Sequence, residues 1–255
     1  MKGTLYLVAT PIGNLEDITI RALNVLKEVD LIAAEDTRHT LGLLNHFEIS
    51  KPLISYYKET EKVKSPILVE KLLNGKNIAL VSDAGTPGIS DPGEEIVKEA
   101  IKNDIKIVPI PGACAFVNAL IPSGMNTREF SFIGFLSANK KEKKDKLEEL
   151  KYETKTLIFY EAPHKLSNTL EAMLEILGDR NIVLARELTK IHEEFIRGKI
   201  STIIEQIVDT KGEFVIIVEG NNISKKDKEI LEEVLVHLRT MRDTWKEVMK
   251  LAHSK

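Results

Sequence analysis

The sequence predicts an α/β fold with mostly parallel sheets, and three observations lead to this prediction. Short apolar runs alternate with helical patterns between residues 5 and 110, which is typical of successive βα units. Several of these runs end in loops rich in Gly, Pro, Ser and Asp. The alternation restarts at residue 130, which indicates a second α/β domain.

The first domain is predicted from apolar periodicity and from turn residues. Strands are expected at 5–9, 31–34, 52–56, 78–81 and 106–110, and helices at 17–29, 37–47, 66–74 and 94–103. In the first helix Ile18, Ala22, Val25, Leu26 and Val29 share one face. Gly75 follows the third helix, at the position where a helix end favours glycine.

The second domain is predicted from the repeated pattern. Strands are expected at 130–135, 156–160, 181–185 and 214–219, and helices at 166–177 and 201–208. Pro111, Gly112, Pro122, Ser123 and Gly124 indicate a linker within residues 112–127. We therefore divide the chain into domains 1–115 and 116–222.

Residues 223–255 are predicted to form a shortened, charged helical tail. Ser224 and Asp227 have the spacing of a capping box. The apolar residues that follow recur at helical spacing, which is more typical of a docking face than of a recognition helix; they are Ile230, Leu231, Val234, Leu235 and Leu238.

The composition is that of an ordinary globular protein and excludes several classes. The 255 residues are 43% apolar and 29% charged, enough to bury a core without disulfides. Cys114 is the single cysteine, which fits a reducing cytoplasm and excludes a cysteine-based metal cluster. No apolar run approaches the ~18 residues that cross a membrane. A net charge of −3 argues against a broad basic face for nucleic acid.

Three predicted strands end in loops suited to ligand binding, at residues 10–14, 82–93 and 111–115. In an open α/β sheet, ligands lie at the carboxyl ends of the strands, where such loops meet. The loop 82–93 is the richest in Gly and Pro, although a stiff surface turn would have the same composition. None of the three has the dinucleotide pattern G-x-G-x-x-G or the Walker pattern. We therefore expect a small molecule held mainly by backbone groups.

Charged residues at other strand ends are candidates for chemistry. Glu35 and Asp36 end a predicted strand, where a carboxylate can act as a base, but Asp36 can equally cap the next helix. Glu161 and Arg186 also stand at strand ends, as substrate-binding groups or as members of structural ion pairs. The six histidines show no H-x-x-x-H spacing, so no metal site is expected.

A run of lysines within residues 139–155 permits two interpretations. Charge runs are usually the solvated face of a helix. The densest part could instead touch a phosphate backbone; it consists of Lys140, Lys141, Lys143 and Lys144.

Five segments together resemble the tetrapyrrole methylase superfamily, the class III S-adenosylmethionine methyltransferases. They lie in the same order along residues 2–220 as in the family, at 7–15, 34–38, 82–93, 159–164 and 185–190. The resemblance is most specific to the members that methylate a cytidine 2′-hydroxyl in the decoding region of bacterial 16S rRNA. It implies two α/β domains, S-adenosylmethionine in the cleft between them, a homodimer and the small ribosomal subunit as partner.

The resemblance also assigns roles to residues of this chain. The expected donor contacts are Ile12, Gly13, Gly85, Thr86, Pro87, Ile89, Ala113, Cys114, Tyr160 and Phe214. For an in-line methyl transfer we expect Asp36 to be the base, with Glu35 as the second candidate. Arg38, Glu161 and Arg186 are expected to hold the substrate.

Two other functions remain open from the sequence. The first is methylation of a small molecule such as a tetrapyrrole. The slightly acidic net charge favours this function, whereas the residues of segments 34–38 and 82–93 argue against it. The second is a nucleotide- or RNA-binding protein that has kept only the fold. Degenerate donor loops would favour that interpretation, whereas the loops of this chain look intact.

Overall fold

A computed structural model describes residues 1–207, 211–222 and 225–252. The first five strands form one all-parallel sheet in the order β3-β2-β4-β1-β5. Their bounds are β1 Thr4–Val8, β2 Leu31–Ala34, β3 Leu53–Ser55, β4 Ile78–Val81 and β5 Lys106–Ile110. The parallel sheet predicted for the first domain is thus confirmed.

Helices cover both faces of this sheet, because its strands present apolar side chains on both sides. The helices are α1 Ile20–Glu28, α2 Thr37–His46, α3 Glu61–Leu73 and α4 Glu94–Lys102. Val8 belongs to the core beneath α1 and α2, whereas Leu5 belongs to the core beneath α3 and α4. Residues an odd number of positions apart point to opposite faces of a strand, so β1 serves both cores.

The last five strands form a mixed sheet in the order β6-β7-β10-β8-β9. Their bounds are β6 Phe130–Phe135, β7 Thr156–Glu161, β8 Asn181–Arg186, β9 Glu194–Lys199 and β10 Phe214–Val218. Only β6 and β7 pair in parallel; the other three pairs are antiparallel. The α/β class is confirmed, but the expectation of a mostly parallel sheet is wrong for this half. Residues 187–193, which join β8 to β9, are too few for the crossover that parallel strands need.

One face of the second sheet packs against three helices, α6 Lys140–Leu150, α7 Leu166–Leu177 and α8 Ile200–Gln206. The other face carries the short helix α5 Ala115–Leu120, through the buried side chains of Ala119 and Leu120. Residues 112–127, for which we predict a linker, therefore contain a helix of the second domain. Ile12 from the first domain packs on the same face, so this face lies towards the first domain.

The long helix α9, Lys225–Ala252, follows the second sheet, as the charged periodic pattern predicts. Ser224, the first residue of the expected capping box, lies outside the described residues. Ile230, Val234 and Leu238 of the expected apolar stripe are exposed on α9. Within the described ranges, no helix combines the length and the apolar character needed to cross a bilayer.

Candidate active site

A cavity of about 350 Å³ lies where the carboxyl ends of the first sheet meet the second domain. The loops after β1, β4 and β5 form one wall. The opposite wall comes from the ends of β6 and β7, the β8–β9 connection and the start of β10. Since β10 runs antiparallel to β7, its first residues lie at the same edge as the last residues of β7.

The loops after β1 and β4 are joined by a short backbone bridge. Thr10 N–H donates to the Gly85 carbonyl at 2.9 Å, and Gly85 N–H donates back at 3.1 Å. Gly85 has φ +87, and a Cβ there would lie 3.2 Å from Cγ2 of Ile12 and 3.5 Å from the Ala113 carbonyl. The left-handed backbone is what favours glycine at this position, and a larger residue would also push the Ile12 side chain aside by a few tenths of an ångström.

Seven of the ten residues predicted to contact a donor line the cavity. They are Ile12, Gly85, Thr86, Ile89, Cys114, Tyr160 and Phe214. The other three are neighbours of lining residues. Gly13 follows Ile12 and Pro87 follows Thr86 in the sequence, and the Ala113 carbonyl accepts a hydrogen bond from the Thr86 hydroxyl at 3.0 Å. The structure thus brings these loops together, and donor contact by each residue stays a prediction.

Tyr160 fixes the start of α5 at the edge of the cavity. Its hydroxyl oxygen accepts a hydrogen bond from Phe116 N–H at 3.2 Å. Burial raises the pKa of this phenol, so it remains protonated at neutral pH. Burial likewise raises the pKa of the Cys114 thiol, which favours the uncharged thiol over the reactive thiolate.

Asp36 caps helix α2, and the structure does not place its side chain in the cavity wall. Its carboxylate accepts Arg38 N–H at 2.8 Å and binds the Arg38 guanidinium through Nε at 3.2 Å and Nη2 at 2.9 Å. These hydrogen bonds, the guanidinium first, lower the pKa of Asp36 to about 2. Such a carboxylate is a weak proton acceptor. Of the two roles open from sequence, the cap is present, and the catalytic role stays a prediction.

A second carboxyl group, Asp91, lies in the cavity wall itself. Burial first, and then the nearby carboxylates of Glu35 and Asp83, raise its pKa to about 6. Glu35 does not line the cavity; burial raises its pKa, and its carboxylate accepts Asp83 N–H at 3.4 Å. The loop 82–93 thus supplies a carboxyl group that titrates near neutral pH.

Glu161 lines the cavity and is held by a buried chain of hydrogen bonds. One carboxylate oxygen accepts a hydrogen bond from the N–H of the next residue, Ala162, at 2.9 Å, and the other accepts one from the Thr169 hydroxyl at 2.5 Å. Lys143 of α6 donates to the same hydroxyl at 2.8 Å. Lys143 is therefore neither part of a solvated face nor available to a phosphate backbone, and Lys144 pairs with Glu175 at 2.7 Å.

Arg186 lies behind the cavity rather than in its lining. Its guanidinium is 5.9 Å from the centre of the Phe214 ring and 3.6 Å from the Glu194 carboxylate. The cation therefore supports a residue predicted to contact the donor. A direct role in holding substrate stays a prediction for Arg186, as it does for the exposed Arg38.

The β8–β9 connection closes one side of the cavity through Leu188. Glu187 and Thr189 on either side have left-handed backbones, with φ 48 and 67. Lys190 bridges the carboxylates of Glu187 and Glu213, each at 3.0 Å. A Cβ on Gly13 would lie 2.5 Å from the Lys190 side chain, so this connection touches the first domain.

Several lining residues received no role from the sequence, among them Asp91, Ser90 and Phe135. Asp91 and Ser90 were hidden among the turn residues of the loop 82–93. Phe135 resembles an ordinary strand residue, although the Gly134 before it is the usual mark of a bulge. In the described part of the chain, no three His, Cys, Asp or Glu side chains are grouped to hold a metal ion.

The family model for "Tetrapyrrole (Corrin/Porphyrin) Methylases" matches residues 4–204. The chain belongs to the tetrapyrrole methylase family. As a member of it, the chain is an S-adenosylmethionine-dependent methyltransferase, which confirms the predicted enzyme class and methyl donor.

Among the family's curated members, the chain is similar to several proteins named "Ribosomal RNA small subunit methyltransferase I". The one from Halalkalibacterium halodurans is 54% identical over 236 residues, which cover 92% of this chain and 82% of the relative. The one from Bacillus subtilis is 55% identical over 232 residues, covering 89% and 78%. The Haemophilus influenzae protein is 49% identical over 248 residues, covering 95% and 88%.

Solved structures of a synthase and a methyl transferase share the fold at low identity. A diphthine synthase superposes with TM-score 0.66 and 15% identity, over 91% of this chain and 95% of its own. The uroporphyrin-III C-methyl transferase from Thermus thermophilus, complexed with S-adenyl homocysteine, gives TM-score 0.60 and 16% identity, over 85% and 97%.

The cavity of this tetrapyrrole methylase fits its donor in size and in chemistry. About 350 Å³ is within the range of small-ligand sites, and its lining combines apolar side chains with a few polar groups. Thr10 and Gly85 hold each other's backbone in place beside the cavity through two hydrogen bonds. Backbone groups with fixed positions suit a ligand that carries both a charged amino acid and a flat base.

Proposed function

We propose that this protein transfers the methyl group of S-adenosylmethionine to the ribose 2′-oxygen of a cytidine in the decoding region of 16S rRNA. The observation that carries the proposal is that seven of the ten residues predicted to contact the donor line one cavity. The chain that forms this cavity shares 54–55% sequence identity with proteins named as small-subunit rRNA methyltransferases. The small ribosomal subunit is accordingly the proposed partner.

The donor would be held by the two walls of the cavity. Backbone groups near Gly85 and Thr86 would meet it from the first domain, and Tyr160 and Phe214 from the second. When bound, S-adenosylmethionine supplies an activated methyl group on a sulfonium, which becomes a neutral thioether once the 2′-oxygen has taken the methyl. Alignment of the acceptor by the walls can contribute ~7 kcal/mol or more to lowering the barrier.

We assign Asp91 as the group that accepts the 2′-hydroxyl proton. It lies in the cavity wall, and a pKa of about 6 leaves it ionised at pH 7 while still basic enough to take a proton. Asp36, which was expected from the sequence to be the base, becomes the second candidate. Its pKa of about 2 and its paired Arg38 make it the weaker base. Asp91→Asn should slow methyl transfer by ~10²–10⁴-fold, and Asp36→Asn should slow it much less.

Three further residues are proposed for the acceptor side of the site. Glu161 has a fixed carboxylate in the cavity wall that can accept a hydrogen bond from a nucleotide. Arg38 is exposed near the carboxyl edge of the first sheet and can meet a phosphate. Arg186 would act through the Phe214 ring that it supports.

The test is methyl transfer to small subunits that lack the modification. Labelled S-adenosylmethionine and purified protein are incubated with these subunits, and the RNA is digested to nucleosides. The proposal predicts label in 2′-O-methylcytidine, at a rate that depends on Asp91. Label in a base, or label only in an added tetrapyrrole, contradicts it.

We also propose that the protein is a cytoplasmic homodimer. Val117 and Ile121, four residues apart on and after α5, are 41% and 68% exposed, and Phe130 nearby is 40% exposed. Phe130 packs against Phe116 of α5, so exposed apolar side chains lie on and beside this helix, where a second copy could cover them. Light scattering should give twice the mass of 28.7 kDa, and Ile121→Asp should reduce it to one copy.

A further inference from the structure

Strand β6 contains a bulge that reverses which face its last residues occupy. Phe132 pairs with Ile158, and the next pair is Gly134 with Phe159, so Ile133 is the extra residue. Gly134 has φ +72, the left-handed backbone that such a bulge uses. After the bulge, Phe135 pairs with Tyr160.

The bulge decides where Phe135 points. Phe132 packs with the residues on the α5 face of the sheet, whereas Ile133 packs with the residues beneath α6, α7 and α8. In a regular strand Phe135 would lie on the same face as Ile133 and join that helix-covered core. Its pairing with Tyr160, a residue of the α5 face, instead places it on the side of the cavity.

The Phe135 ring is an exposed wall of the cavity. It is 61% exposed. Its ring meets Tyr160 edge-on, with centroids 5.5 Å apart and planes at 61°. This contact fixes the orientation of the ring and leaves a flat apolar surface facing solvent at the cavity. The fold gains little from this placement, so a ligand explains it better.

A nucleobase is the ligand that this surface fits. Enzymes that modify a nucleotide take it out of its stack and hold the base on aromatic side chains. Lys140 and Lys141 are exposed at the start of α6, five and six residues after Phe135, and no ion pair of either is seen among the described residues. Their ammonium groups suit the phosphate backbone of the RNA that carries the base.

We propose that Phe135 is the platform on which the base of the acceptor nucleotide stacks while its ribose faces Asp91. The proposal rests on the proposed function and adds the part of the site that holds the base. It assigns the donor to the remainder of the cavity, so Phe135 belongs to RNA binding and not to donor binding.

The test compares Phe135→Ala, Phe135→Leu and Phe135→Tyr with wild type. Since stacking of one base contributes about 1–3 kcal/mol, KM for small subunits should rise about 5- to 150-fold in Phe135→Ala. Phe135→Tyr should keep the wild-type KM, and Phe135→Leu should behave like Ala because it lacks a flat ring. The affinity for S-adenosylmethionine, measured by calorimetry, should stay within twofold.

Tyr152→Ala is the matched control, since Tyr152 is an exposed aromatic residue just after the far end of α6. It should leave KM unchanged. Weaker donor binding in Phe135→Ala with an unchanged KM would overturn the proposal, because the ring would then belong to the donor site. A wild-type KM in Phe135→Leu would overturn it as well.

A binding measurement separates this proposal from the proposed function. A fragment of the decoding-region RNA is titrated with S-adenosylhomocysteine present, alongside the same fragment without the target base. The platform predicts that Phe135→Ala weakens binding of the first fragment and not of the second. Equal losses on both fragments would overturn it. Absence of methyl transfer by the wild-type protein would contradict the proposed function. The comparison of binding to the two RNA fragments could still be interpreted in that case.

Discussion

Asp91→Asn is expected to stabilise the protein above pH 6 while it slows methyl transfer. Burial and the carboxylates of Glu35 and Asp83 raise the pKa of Asp91 from 3.8 to about 6 in the folded state. A raised pKa means that the folded protein favours the protonated acid. The stability that this acid form contributes is complete below pH 3.8 and is lost as the pH rises through about 6.

The magnitude follows from the difference between these pKa values. At 1.36 kcal/mol per pH unit, the difference between 3.8 and about 6 corresponds to about 3 kcal/mol. Asparagine has a similar shape and stays neutral over this whole pH range. The free energy of unfolding of the variant should therefore exceed that of wild type by up to about 3 kcal/mol at pH 8, and by little at pH 4.

Urea unfolding of both proteins at several pH values between 4 and 8 measures this difference directly. Asp145→Asn, the same change at an exposed position of α6, is the control and should change nothing. A variant that is no more stable than wild type at pH 8, or a difference that does not vary with pH, would refute the reasoning. The rate of transfer by wild type should also fall below about pH 6, where Asp91 becomes protonated.

Three further changes test the packing of the site. Gly85→Ala should weaken donor binding and cost about 1–2 kcal/mol of stability, because alanine disfavours φ +87; calorimetry and urea unfolding measure the two effects. Lys143→Met should cost about 1–3 kcal/mol in urea unfolding, because the buried Thr169 hydroxyl loses its donor. Glu61→Ala should weaken donor affinity and Glu61→Gln should largely restore it, because this side chain accepts Gly93 N–H at 2.7 Å where the loop 82–93 meets α4.

Most of the first domain could be predicted from its sequence, because each buried strand there is a short apolar run. Strands β2, β4 and β5 have the predicted bounds. Helix α3 begins at Glu61, five residues before the predicted start, because Pro66 looks like a first helical residue. The loops of the site were equally visible, since Gly and Pro mark them.

The second domain was harder to predict because apolar runs do not encode strand direction. Strand β9 at the sheet edge was missed, since Glu194, Arg197 and Lys199 break its apolar pattern, as is usual for edge strands. Helix α5 was missed because it is six residues long and lies between loop residues. Both errors concern elements held by tertiary contacts rather than by their own pattern.

The roles of individual residues depended on geometry that the sequence does not carry. Asp36 and Asp91 both follow a strand of the first sheet, yet only Asp91 lines the cavity. Its pKa is raised first by burial and then by the carboxylates of Glu35 and Asp83, which lie at other positions of the chain. Phe135 lies on the cavity side only because of one extra residue in β6. The alternation of residues along the sequence does not reveal that β6 has one more residue than the segment of β7 with which it pairs.

The division of the cavity wall between the two domains has a thermodynamic consequence. A ligand that contacts both walls binds only when both halves are folded, so its binding free energy stabilises the two halves jointly. At a hundredfold excess over Kd this amounts to about 2.7 kcal/mol, available to neither half separately. Halves that unfold at different temperatures in the empty protein would therefore unfold together once the donor is saturating, and the enzyme is most cooperative when it is loaded.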